Sequence, residues 1–141
     1  MPIDEAESIL YGMQGFLSTG NSVVPTRGFA HFASGMTISA APSTRGLVEA
    51  VEIWRPEPGA DDVVTCLGVD IFTTAADDLI ELFRQRTPVE IEDGGGSMIA
   101  PDLVVGLWRP FVPDSPGDDD GRYFHSILIA APGYYSTPGD S

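Results

Sequence analysis

The chain has 141 residues, 43% of them hydrophobic, and 21 acidic residues stand against 7 basic ones for a net charge of -14. That length and apolar content suit one domain with a core of its own, needing neither a structural metal nor disulfides, and the single cysteine excludes an intramolecular disulfide. All seven basic residues are arginine, so the chain is poorly equipped to assemble a phosphate-binding patch, and nucleic acid is not an expected partner.

In chain order, Asp4, Glu5 and Glu7 precede Ile9, Leu10 and Met13, a pattern that predicts a short helix interrupted by Gly12 and Gly15. Residues 18–27 are turn-rich and read as a loop. G-F-A-H-F-A from Gly28 and M-T-I-S-A-A from Met36 predict two short strands about a tight turn at Ser34 and Gly35. A turn over Pro42–Gly46 leads to a strand over Leu47–Trp54, and E-P-G-A-D-D is a solvated loop.

The run from Val63 to Phe72 predicts a strand, with Gly68 at a bulge or a close backbone approach. A helix follows, with Thr74 as N-cap, Asp77 three residues on, and Leu79, Ile80, Leu82 and Phe83 on an apolar face; Arg84 and Arg86 suit its last turn and Pro88 ends it. Cys66, among apolar neighbours, is expected to be a buried and inert thiol. Further strands are predicted over Val89–Glu92, Ser97–Ala100, Leu103–Trp108 and Tyr123–Ala130, the third apolar enough to be buried on both faces. The division expected is one α+β domain over 1–135, a mainly antiparallel sheet with one main amphipathic helix packed on a face, and a flexible tail over 136–141.

Charge is unevenly placed. Residues 1–46 carry three acids against two arginines, and residues 47–141 carry eighteen against five, so that -13 of the total falls on the later part. The densest acids are Asp114, Asp118, Asp119 and Asp120, in a loop without the alternating ligands or the distal glutamate of a calcium-binding hand. Gly94, Gly95 and Gly96 lack the helix start and lysine of a phosphate cradle. Only His31 and His125 are available as imidazoles, and Ser126 beside His125 in a strand faces the other way, so the pair is no dyad. Asp70 and Asp102 are the remaining candidates for paired carboxylates, with no cleft implied between them. No catalytic set, metal or cofactor is expected from these residues.

Two strands end alike, L-V-E-A-V-E-I-W-R-P over 47–56 and P-D-L-V-V-G-L-W-R-P over 101–110. In each the tryptophan and arginine point to opposite faces. One of Trp54 and Trp108 is expected to fill the core and the other to anchor a partner.

G-V-D-I-F at 68–72 with its helix, L-W-R-P at 107–110 and A-P-G-Y-Y at 131–135 resemble small uncharacterised acidic proteins of high-GC bacteria, some of which look like immunity proteins that neutralise a neighbouring toxin. The resemblance spans roughly the last two-thirds of the chain and carries no functional residue with it. Without the basic flank of a signal peptide or an apolar run of spanning length, the expectation is a soluble cytoplasmic protein. Together these features predict an acidic interaction module that occludes a basic protein partner through Asp114, Asp118, Asp119 and Asp120 and the exposed aromatics at Trp54 and Trp108. A small-molecule-binding protein or enzyme with a sheet-helix cleft, or a structural subunit of an assembly, are the alternatives.

Overall fold

A computed structural model of the chain describes residues 1–17, 28–57, 59–60, 62–110, 112 and 121–131. It divides into two compact units, Met1–Asp62 and Val63–Ser141. The fold is α+β and dominated by antiparallel strands, as the alternating segments and the amphipathic helix imply. The loop at 18–27, the acidic loop with Asp114, Asp118, Asp119 and Asp120, and the tail at 136–141 lie outside the described residues. No helix among the described residues is long and apolar enough to cross a membrane.

In the first unit, helix α1 (Ile3–Tyr11) carries Asp4 and Glu5 in its first turn and buries Ile3, Ala6 and Leu10, which fall on one face at helical spacing. It stops at Gly12, whose N–H donates to the carbonyls of Ser8 and Ile9 at 3.2 Å each. The helix lies against β1 (Phe29–His31) and β2 (Thr37–Pro42). The turn between them closes where Gly35 donates to Phe32 O at 2.9 Å; Gly35 has φ +87°, a left-handed conformation that costs glycine little. Strand β3 (Val48–Trp54) pairs antiparallel with β2. Ala30, Ile38 and Ala40 turn to the buried side.

In the second unit, the single strand expected over 63–72 is instead a hairpin, β4 (Thr65–Cys66) and β5 (Val69–Asp70). Leu67 and Gly68 between them have φ +54° and +79°, the paired positive values of a primed two-residue turn, so Gly68 makes a reversal rather than a bulge. Cys66 is half-buried there rather than buried, and its thiol is free.

Helix α2 (Ala76–Arg84) buries Ala76, Leu79, Ile80 and Phe83, each of the larger side chains contributing roughly 1.5–3 kcal/mol on removal from water. Thr74 is not its N-cap. Ala75 holds that position in extended geometry with no side-chain bond, and the first helical N–H, that of Ala76, donates to Arg122 O at 2.8 Å. A carbonyl from a later segment thus satisfies the first of the open N–H groups at this helix end.

Four strands follow: β6 (Glu90–Glu92), β7 (Ser97–Ala100), β8 (Val105–Trp108) and β9 (Ser126–Ala130), paired antiparallel in the order β9-β8-β7-β6. Met98, Ala100, Val105, Leu107 and Ile127 form the buried face. The run at 103–108 is not buried on both faces: Val105 and Leu107 point in, while Gly106 is half-buried and Trp108 exposed on the other side. Leu103 falls in a short 3-10 turn, and Val104 follows it with φ +54°. The last strand begins at Ser126 rather than Tyr123; just before it, Gly121 and Arg122 give their carbonyls to Arg109 and to the start of α2.

Candidate functional site

The strongest polar arrangement among the described residues of the second unit is a structural one centred on Arg109. Its position after Trp108 turns it inward, and it is 2% exposed. Nε donates to Gly95 O at 2.9 Å, Nη1 to Gly121 O at 3.1 Å and Nη2 to Asp77 Oδ1 at 3.1 Å. The guanidinium carbon lies 5.7 Å from the centroid of the Phe124 ring, a cation-π contact. The glycine run makes this possible. Gly94 and Gly95 have φ +67° and +107°, and a Cβ on Gly95 would stand 3.1 Å from a Val112 methyl and 3.6 Å from Arg109 Nη2. The glycines serve a buried cation, which sequence alone did not indicate.

The other readings of these residues settle into local roles. Asp70 accepts from the N–H groups of Phe72 at 3.1 Å and Thr73 at 3.2 Å, an Asx turn that leads the chain toward α2. Asp102 is exposed in the 3-10 turn before β8. Ser126 is buried, and the backbone N–H of His125 donates to Trp108 O at 2.8 Å. Burial pushes the Cys66 thiol above its ordinary pKa, against a smaller lowering from a backbone hydrogen bond at Leu67; the thiolate is therefore disfavoured. No group of three or more His, Cys, Asp or Glu side chains among the described residues is placed to hold a metal ion.

Both tryptophans are exposed, Trp54 at 38% and Trp108 at 39%, so neither fills the core as one was expected to. They end β3 and β8 in different units. Each is paired across the sheet with a hydroxylated residue, Trp54 with Thr37 and Trp108 with Ser97 and Ser126. In the second unit the register places Glu92, Ser97, Trp108 and Ser126 across one face, and the Trp108 and His125 rings meet edge-on with centroids 6.2 Å apart. Ser97 Oγ donates to Asp93 Oδ2 at 3.1 Å.

The first unit has the more developed face. Two rows cross its three strands, Phe29–Ser39–Glu52 and His31–Thr37–Trp54. The Trp54 indole N–H donates to Glu52 Oε1 at 2.7 Å, a charge-assisted bond that holds the carboxylate beside the ring. His31 Nδ1 and Thr37 Oγ1 are hydrogen-bonded at 3.1 Å, and the Phe29 and His31 rings lie 5.8 Å apart. Large side chains thus stand on β1 and β3 with two hydroxyls on β2 between them.

Asp114, Asp118, Asp119 and Asp120, the acidic residues proposed from sequence for partner contact, lie outside the described residues. No protein-family model matches the chain, and comparison with curated proteins and with solved structures gives no match.

Proposed function

We propose that this chain is an acidic protein-interaction module of the immunity type, acting in the cytoplasm by covering the surface of a basic partner protein. The observation that carries the reading is the combination of a net charge of -14 with an exposed tryptophan, Trp54, set beside the Glu52 carboxylate on a sheet face. Tryptophan is the residue type that most often anchors an interface, because its large ring loses little conformational freedom on binding. Charge of one sign steers a partner of the other and speeds encounter, while the aromatic anchor slows release.

The test is capture by the tagged chain from lysate of its source organism at low and at moderate salt, followed by purification of the retained protein and titration against the wild type. A basic protein bound in fixed stoichiometry, with affinity falling steeply as salt rises, is the outcome this reading requires. A protein that remains alone and monomeric at both salts overturns it.

A further inference from the structure

We propose that the face of the first unit bounded by Phe29 and His31 on one side and Glu52 and Trp54 on the other is a seat for an arginine side chain of the partner. This rests on the reading of the chain as an acidic interaction module and names the chemistry at which the module grips. Strands in a sheet are about 4.8 Å apart, so the walls on β1 and β3 rise roughly 10 Å from one another over a floor of Thr37 and Ser39. That width takes one extended side chain lying between aromatic walls.

The chemistry of the trough selects a planar cation. Glu52 is the only carboxylate in these two rows of described residues, and the Trp54 indole fixes one of its oxygens while the group retains acceptor capacity on the other. The faces of Trp54 and Phe29 attract positive charge through their ring quadrupoles. The hydroxyl oxygens of Thr37 and Ser39 accept hydrogen bonds from below. A guanidinium satisfies all three at once, because it stacks on a ring while its fork of N–H groups reaches a carboxylate. An ammonium is a compact and more strongly hydrated charge that gains less from the rings. A neutral donor can bond the Glu52 carboxylate, as the Trp54 indole does, but lacks the Coulomb attraction and the ring quadrupole contact that a cation gains.

The experiment follows the indole N–H resonances of the intact chain by NMR, assigned with W54F and W108F, during titration with end-blocked Gly-Gly-Arg-Gly-Gly and with the same peptide carrying lysine or citrulline. The arginine peptide is expected to shift the Trp54 indole resonance saturably, the lysine peptide to bind at least fivefold more weakly, and the neutral citrulline peptide to leave it in place. E52Q is expected to weaken arginine binding at least fivefold, while E90Q, which removes one negative charge from the other unit, changes it less than twofold. Equal effects of E52Q and E90Q, or equal shifts by arginine and citrulline, overturn the seat; the peptide contrast needs no variant and stands even if E52Q fails to fold. If a captured basic partner binds E52Q as tightly as wild type, the seat falls and the module reading survives. If no basic protein is captured at all, both fall.

Discussion

The guanidinium of Arg109 meets Asp77 at 3.1 Å, yet the two partners live in different surroundings, with Arg109 2% exposed and the Asp77 side chain 81% exposed. Their pairing is therefore unequal in what it supports. Removing the carboxylate breaks an ion pair that water already screens, for a cost of about 0–1 kcal/mol. Removing the guanidinium takes donors from Gly95 O and Gly121 O and empties the site over Phe124. Urea denaturation of Arg109→Ala should show a loss of about 2–6 kcal/mol, about 1–3 kcal/mol for each carbonyl left without its donor, and Asp77→Asn should stay near wild type. Equal losses would mean that the ion pair, not the carbonyl bonds, holds this region.

Leu67 and Gly68 form the turn of the β4-β5 hairpin, and both need positive φ. A left-handed backbone costs an ordinary L-residue about 1–2 kcal/mol, and asparagine tolerates it better. Leu67→Asn produces the Asn-Gly pair that primed turns favour and should raise stability by about 0.5–1 kcal/mol, whereas Gly68→Ala should lower it by about 1 kcal/mol. Thermal melts of the two variants check the opposite signs.

Gly28 sits where α1 and β2 converge. Its φ is +80°, its N–H donates to Glu7 Oε2 at 3.0 Å, and a Cβ there would run into the Ala40 carbonyl and reach 3.2 Å from an Ile3 methyl. Since the obstructing atoms include backbone, Gly28→Ala should cost about 2–5 kcal/mol in denaturant. A loss below 1 kcal/mol would mean that this approach relaxes freely.

Glu7 also accepts the Tyr11 hydroxyl at 3.1 Å. Burial, this hydrogen bond and the repulsion of the nearby carboxylate all push the Tyr11 phenol above its ordinary 10.0. The native chain then keeps a proton that the unfolded chain releases once pH passes 10.0, so the unfolded state binds fewer protons and stability falls with rising pH from there. Absorbance at 295 nm, taken as the difference between wild type and Tyr11→Phe, should place the Tyr11 titration above 10.0, and Glu7→Gln should move it down. No movement in Glu7→Gln would remove the hydrogen bond as a cause.

Much of the fold was legible because period and burial coincide. The spacing of Leu79, Ile80 and Phe83 announced the buried face of α2, and strand alternation put Trp108 and Arg109 on opposite faces without saying which of them turns inward. The hairpin at 65–70 was hidden because its turn begins with leucine, which carries no turn signal; Thr74 misled because the true acceptor at the helix start is the carbonyl of Arg122, a backbone atom with no trace in sequence. The same reason hid the Arg109 site, whose acceptors Gly95 O and Gly121 O lie 14 and 12 residues away. The trough of the first unit required a register. Once β1 and β3 flank β2, the i, i+2 pairs Phe29–His31 and Glu52–Trp54 become its two walls, but a list of exposed aromatics does not reveal that they enclose Thr37 and Ser39.

The most direct measurement is parallel capture from source-organism lysate at low and moderate salt with three baits, wild type, Trp54→Ala and Trp108→Ala, each first shown to melt within a few degrees of wild type. The account predicts one abundant basic protein on the wild type, weaker at moderate salt, and reduced at least tenfold by loss of an anchoring tryptophan. The same retained proteins on all three baits, or partners that are acidic and indifferent to salt, would contradict it.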